Sequence, residues 1–478
     1  MVFRRVLSLL WLFLCLGQGH AQVVPAASNS GPKPNFVLIL ADDLGYGDLS
    51  CYGGSIDTPH LDAMAARGVR FTQFQTTFPA CAPSRTALLT GRYHFRAGMF
   101  GNPTPDAPHV PGADKLGIPN DEVLLSEALW ASGYATGMIG KWHLGHQPEF
   151  YPTRHGFEEY FGILYSNDMR PVQLFENEEV VDEFPVVQAT LTERYTRRAE
   201  AYIERNASRP FFLYLAHAMP HKPLAASEEF YTPDTPGDLY ADTVRELDAS
   251  VGRVLAKIRR EGLAERTLVV FTSDNGPWFG GSTAGLRGMK ASTFEGGIRV
   301  PCIATFPGRV AEGRTCDAAT SMMDWFPTFL NMATPLPPVS APLDGRDLAP
   351  LLQDPSGASP HDALFAFRGS SVGTVRQGKW KLHVLKPSPG HPYAFQGKEW
   401  LDPRGPDGST ILAPMEQPGP DQFPGAKEGD VPVAGMLFDL DADPNETRNV
   451  ADKHPERVAE MRRLAGLLNA EAELVRGR

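Results

Sequence analysis

The sequence predicts an α/β fold: a large mixed, mostly parallel sheet sandwiched by helices, with a smaller C-terminal α+β domain carrying an antiparallel sheet. Four short runs at 36–41, 135–139, 211–216 and 268–272 are apolar without alternation, the mark of strands buried on both faces. Helix-period segments at 59–67, 121–132 and 238–262 fall between them. Strands alternating with helices give a parallel sheet covered on both sides. Beyond about residue 340 the texture changes to short runs at 363–368, 371–376 and 379–384, which read as the small antiparallel sheet.

Taken in order, the chain opens on Met1-Val2-Phe3-Arg4-Arg5, an apolar run over 6–16, and Gly19-His20-Ala21. Basic, apolar and small-residue regions in that order describe a secretory signal cleaved after Ala21. The run is too short for the roughly 20 residues of a spanning helix, so no stable membrane anchor is expected, and the mature chain is placed in a secreted, periplasmic or lysosomal compartment. Residues 22–34 read as a linker, 35–340 as the main domain and 341–478 as the C-terminal domain. Within the latter a Pro/Gly-rich stretch over 387–432 reads as a long surface loop, and an amphipathic helix over 455–476 closes the chain.

Lys and Arg number 45 against 56 Asp and Glu, a formal charge of -11. This balance argues against a nucleic-acid or anionic-membrane surface, so an anionic substrate would need a local pocket of cations. After signal cleavage four cysteines remain, Cys51, Cys81, Cys302 and Cys316. Cys302 and Cys316 flank a Pro307-Gly308 turn and are either a disulfide or two buried thiols. Asn206-Ala207-Ser208 and Asn445-Glu446-Thr447 are glycan acceptors only in a eukaryotic secretory pathway.

Open α/β sheets place ligand sites beyond the carboxyl ends of their strands, and the polar residues gather there. Asp42 and Asp43 end the first run, Lys141 and His143 follow the second, His217 and His221 the third, Asp274 and Asn275 the fourth. Asp42, Asp43, Asp274 and Asn275 are hard oxygen donors of the kind calcium takes. An extended Lys141-Trp142-His143 would put Lys141 and His143 on one face. His217 is either a support of the site or a satisfied core histidine.

Cys81-Ala82-Pro83-Ser84-Arg85 continues through Leu88, Thr90, Gly91 and Arg92 as C-x-P-S-R-x-x-L-x-T-G-R, and a second block runs from Gly133 to Gly145 through Gly140-Lys141-Trp142-His143. These segments resemble the two signatures of the type I sulfatases. The resemblance continues at Ala41-Asp42-Asp43-Leu44-Gly45-Tyr46-Gly47-Asp48, at 271–277, at 290–301, at 343–347 and at Phe438-Asp439-Leu440, so it covers nearly the whole mature chain. It implies an alkaline-phosphatase-like version of the predicted fold and hydrolysis of sulfate esters, aryl or carbohydrate.

The resemblance further implies that a maturation enzyme oxidises Cys81 to formylglycine. Hydrated, that aldehyde offers one hydroxyl to attack sulfur and a second whose deprotonation expels sulfate, where an ordinary serine would stay sulfated. By the same correspondence one calcium ion is held by Asp42, Asp43, Asp274, Asn275 and the diol of modified Cys81. Arg85, four residues beyond Cys81 on a first helical turn, can reach back to the diol and the metal carboxylates. Lys141 and His143 hold the diol, with His143 the base for sulfate release. His221 binds sulfate and protonates the leaving alcohol, a task its ordinary pKa near 6.5 suits. Lys290 is a second sulfate-binding lysine, and Ser166 is either a substrate contact or a turn residue. The substrate is then a sulfated small molecule or glycan, selected by loops at 101–120, 146–190 and 385–435. Phosphatases and phosphonate hydrolases of the same fold would use Ser or Thr, or two zinc ions, and a non-catalytic relative would lack part of this set.

Overall fold

The structure is a computed structural model that describes residues 32–105, 112–183, 186–231, 239–333, 342–388 and 417–476. The expected signal at 1–21, most of the linker, the boundary at 340/341 and much of the 387–432 loop lie outside the described residues.

The first half runs β1 (Asn35–Ala41), α1 (Pro59–Ala66), β2 (Val69–Phe71), β3 (Phe74–Gln75), α2 (Cys81–Thr90), α3 (Leu125–Ala131), β4 (Ala135–Lys141), β5 (Glu159–Ile163), β6 (Leu174–Glu176), β7 (Glu179–Asp182), α4 (Leu191–Arg205) and β8 (Phe211–Ala216). The second runs α5 (Leu239–Arg260), β9 (Thr267–Ser273), α6 (Glu295–Ile298), β10 (Cys302–Thr305), β11 (Arg314–Cys316), β12 (Thr320–Ser321), α7 (Trp325–Met332), α8 (Ala349–Gln353), β13 (Leu364–Arg368), β14 (Ser371–Gln377), β15 (Trp380–His383), β16 (Leu437–Asp439) and α9 (Pro455–Arg476).

Ten strands form one sheet in the order β11-β2-β10-β9-β1-β8-β4-β5-β6-β7. Its centre is parallel, β1 pairing with β8 and β9, and β4 with β8 and β5. Antiparallel pairs appear only toward the edges, at β10, β6 and β7. The four apolar runs are the four adjacent central strands, and β1 shows why they do not alternate. Phe36, Leu38 and Leu40 enter one apolar core while Val37, Ile39 and Ala41 enter the other. Each such side chain contributes about 1.5–3 kcal/mol of gross burial energy. Helices α4 and α5 cover the second core through Tyr195, Ala199, Leu247 and Val251. Helices α2 and α7 cover the first through Leu88, Leu89, Trp325 and Phe329.

The small sheet is antiparallel, β13-β14-β15-β16, and its Phe367, Val375 and Leu382 join the first core together with Met461 and Ala465 of α9. Helix α3 begins later than its apolar pattern, because the Glu127 carboxylate accepts the Leu124 N–H at 2.8 Å and starts the helix there. Cys302 and Cys316 are free thiols. Both pair with Phe71, from opposite sides of β2, so two strand spacings of about 4.8 Å separate them, beyond disulfide reach. Asn206 is buried and donates its amide to Tyr202 O at 2.9 Å, which closes that glycan position in the folded chain.

Candidate active site

The carboxyl ends of β1, β4, β8 and β9 converge with the first turn of α2. Asp42 and Asp43 leave β1 in a sharp turn, with Asp43 in the left-handed region at φ 63. That turn is tied to the end of β9, where Asp43 N–H donates to Asp274 Oδ1 at 3.2 Å and Leu44 N–H to Ser273 Oγ at 3.0 Å. Asn275 Nδ2 donates to Asp43 Oδ1 at 2.7 Å. All four of Asp42, Asp43, Asp274 and Asn275 are fully buried.

Cys81 is the first residue of α2, a helix that ends at Gly91 in the left-handed region, φ 66. Its Sγ lies 3.4 Å from Asp42 Oδ1 and 3.4 Å from Lys290 Nζ. Burial, and then the Asp274 and Asp42 carboxylates, push this thiol far up, so it stays protonated, a weak nucleophile and a weak ligand. Ala80 at the N-cap has no side-chain oxygen, and the Ala82 N–H is taken by Asn102 Oδ1 at 3.1 Å from the following loop.

One turn along, Arg85 is fully buried and binds Asp274 Oδ2 through Nε and Nη2, both at 2.9 Å, and the Lys141 carbonyl through Nη1 at 2.6 Å. Lys141, the last residue of β4, pairs with Asp42 and donates to Ser166 Oγ at 3.0 Å. Lys290 pairs with Asp43 at 2.6 Å. His221 Nε2 lies 3.7 Å from Asp43 Oδ2, and Ser166 Oγ lies 3.4 Å from His221 Nδ1.

His143 departs from the expected geometry. The extended Lys-Trp-His segment fails at its last residue, since His143 has φ 61 and Trp142 turns into the core, its Nε1 donating to Phe150 O at 2.8 Å. The His143 ring is buried, and neither nitrogen has a hydrogen-bond partner among the described residues. Burial, and then Lys141 and Arg85, hold it well below the usual imidazole range, so the ring is neutral. His217 lies apart, among α4 and α5, with Nε2 3.3 Å from Ser250 Oγ and its ring beside Tyr195. Its surroundings are those of a core histidine, but only Nε2 is satisfied, since Nδ1 has no hydrogen-bond partner among the described residues.

The donor set fits a divalent cation. Ligand atoms of Asp42, Asp43, Cys81 and His221 lie within 4.8 Å of one another, and Asn275 Oδ1 is buried with no hydrogen-bond partner among the described residues. Three carboxylates, Asp42, Asp43 and Asp274, face three cations, Arg85, Lys141 and Lys290. The cluster is near neutral by itself, and a divalent ion makes it the positive pocket that an anionic ester requires.

Comparison with known proteins decides the family. The sulfatase family model matches residues 34–335. The chain belongs to the sulfatase family. Rat N-acetylgalactosamine-6-sulfatase is 40% identical over 383 residues, 75% of this chain and 72% of the relative. Human arylsulfatase A is 38% identical over 505 residues, 97% of this chain and 91% of the relative. Among solved structures, Ps i-CgsB superimposes with a TM-score of 0.73 at 27% identity, covering 91% of this chain and 93% of its own. This sulfatase hydrolyses sulfate esters.

The C-terminal residues border the sulfatase site. Lys222 Nζ donates to the Pro418 carbonyl, Gln417 Oε1 accepts Leu224 N–H at 2.7 Å, and Gln422 O accepts Gly280 N–H at 2.9 Å. The segment from 417 thus touches both the His221 loop and the loop that leads to Lys290. Sequence reasoning missed Asn102 and Asn167, single amides whose importance comes only from what folds against them.

Proposed function

We propose that this sulfatase acts on sulfated carbohydrates or aryl sulfates through an aldehyde-derived nucleophile at Cys81 and one calcium ion. The observation that carries the reading is the position of Cys81 Sγ, 3.4 Å from both Asp42 Oδ1 and Lys290 Nζ at the mouth of a helix. A protonated, buried thiol is idle there. Converted to formylglycine by a maturation enzyme and hydrated, residue 81 would supply a geminal diol, one hydroxyl for sulfur and one for release of sulfate.

Asp42, Asp43, Asp274 and Asn275 would hold calcium, which when bound neutralises charge on the sulfate and the nucleophile. Arg85 keeps Asp274 and Asp42 in place. Lys141 and Lys290 approach residue 81 from two sides and bind sulfate oxygens, with Ser166 aligned by Lys141. His143, neutral and with no hydrogen-bond partner among the described residues, takes the proton whose loss releases sulfate. His221 gives a proton to the leaving alcohol.

A carbohydrate substrate is favoured by the relatives: one is named for N-acetylgalactosamine 6-sulfate, and Ps i-CgsB has a structure in complex with k-i-k-neocarrahexaose. Export belongs to the same reading. Among the described residues no helix is long and apolar enough to cross a membrane, and the N-terminal signal pattern directs the chain out of the cytosol.

The test is release of inorganic sulfate, followed by ion chromatography, from N-acetylgalactosamine 6-sulfate, other sulfated sugars and an aryl sulfate. Release from at least one sugar, lost on exhaustive chelation and restored by calcium, is the expected result. Full activity after chelation contradicts the metal assignment, and turnover of aryl sulfate alone contradicts the carbohydrate assignment.

A further inference from the structure

Asn167 holds His221 from behind. Asn167 and Gln188 are 1% and 3% exposed. Asn167 Nδ2 donates to Gln188 Oε1 at 2.9 Å, to the His221 carbonyl at 3.3 Å and to the Pro223 carbonyl at 3.2 Å. Backbone carbonyls only accept, so the amide orientation is settled: Nδ2 faces the loop backbone and Oδ1 faces the imidazole. Oδ1 lies 3.0 Å from His221 Nδ1, and the Lys222 carbonyl lies 2.6 Å from the same nitrogen. Neither oxygen can donate, so Nδ1 carries hydrogen. Nε2 then faces the site, near Asp43 and Ser166. Gln188 Nε2 also donates to the Asn167 carbonyl at 2.8 Å.

We infer that Asn167 is a positioning residue for the leaving-group step, fixing His221 Nδ1 as a permanent donor so that Nε2 is the nitrogen that hands a proton to substrate. The inference rests on the reading of His221 as the acid. In that step a hydroxyl oxygen of residue 81 forms a bond to sulfur, the ester oxygen keeps the electron pair of its breaking bond to sulfur, and the proton leaves Nε2 for that oxygen. The ring is left neutral, with Nδ1–H in place. Without Asn167 the Lys222 carbonyl alone accepts from Nδ1, and the His221 and Pro223 carbonyls lose the amide that holds their loop, so the proton on Nε2 is aimed less well.

The experiment measures kcat on aryl sulfates whose phenols range from good to poor leaving groups. The ratio of kcat between the two extremes does not depend on how much of a preparation is folded. General acid catalysis contributes about 10²–10⁴-fold, so His221→Ala should widen the ratio by roughly 100-fold or more. Loss of a partner that orients a functional histidine costs about 10–100-fold in metal sites, and a widening of about tenfold is expected for Asn167→Ala and for the bulkier Asn167→Leu. Gln188→Ala leaves the two carbonyls to orient the Asn167 amide, so its ratio should stay within about twofold of the parent even where Tm falls. An unchanged ratio in both Asn167 variants beside a widened one in His221→Ala overturns the role of Asn167 alone. Unchanged ratios in His221→Ala as well overturn the reading of His221 and this inference with it.

Discussion

Lys290 illustrates how single side chains divide the work. It reaches Asp43 at 2.6 Å and Cys81 Sγ at 3.4 Å, a position suited to holding sulfate in both ground and transition states. Lys290→Ala should therefore raise KM for an aryl sulfate by about tenfold with a smaller fall in kcat, because uniform binding appears in KM. Steady-state kinetics check this, and a kcat loss with unchanged KM would move Lys290 to the transition state alone. Away from the site, Glu246 is buried and its carboxyl is pushed up to about 7, chiefly by desolvation, against an ordinary value of 4.5. The folded state then holds its proton more tightly than the unfolded chain, so this residue lowers stability as pH rises from 4.5 to about 7. Glu246→Gln should raise Tm at pH 8, by on the order of 3 kcal/mol of stability, and leave it unchanged at pH 4. A thermal melt with equal gains at both pH values would contradict the assigned titration.

At the scale of elements, strand ends aim the chemistry. Gly140 precedes Lys141 on β4 and has φ 111, and a Cβ there would collide with the carbonyl oxygen of Ala216, its partner on β8. Gly140→Ala should cost at least about 2 kcal/mol, through clash and left-handed strain together, and displace Lys141. Denaturant unfolding measures the cost, and a neutral result would mean that β4 and β8 do not approach as described. The elements also show what was legible beforehand. The long apolar runs became β1, β4, β8 and β9 because they carry apolar side chains into two cores at once. Strands β3 and β12, of two residues each, are too short for any periodicity to register. The positive φ of His143 was hidden because it falls just past the end of β4, beside a Trp142 whose place in the core is set by distant partners. Motif residues could be named in advance, while Asn102 and Asn167 could not, since an isolated amide has no signature until its partners fold around it.

For the whole molecule, one buried ion network joins the small sheet to the catalytic loops. Lys381 of β15 pairs with Glu295 at 2.8 Å and Glu446 at 3.1 Å, and His383 Nε2 lies 2.6 Å from Glu446. Glu446 also accepts the Glu295 N–H at 2.5 Å, five residues after Lys290. Burial would raise Glu295, but Arg299 and Lys381 hold it well below the usual carboxylate range, so both its partners must stay charged. Removing one member of such a network costs about 3–5 kcal/mol. Lys381→Met should lower the denaturation midpoint accordingly, and a gain in stability would show the network to be dispensable.

We propose that turnover resides in a modified Cys81. Its most direct test measures, in one series of preparations made with graded amounts of maturation enzyme, the aldehyde content of the Cys81 peptide by mass spectrometry and the rate of aryl sulfate hydrolysis. The rate should be proportional to aldehyde content and fall to zero with it. Full turnover from chain whose Cys81 is wholly an unmodified thiol would contradict it.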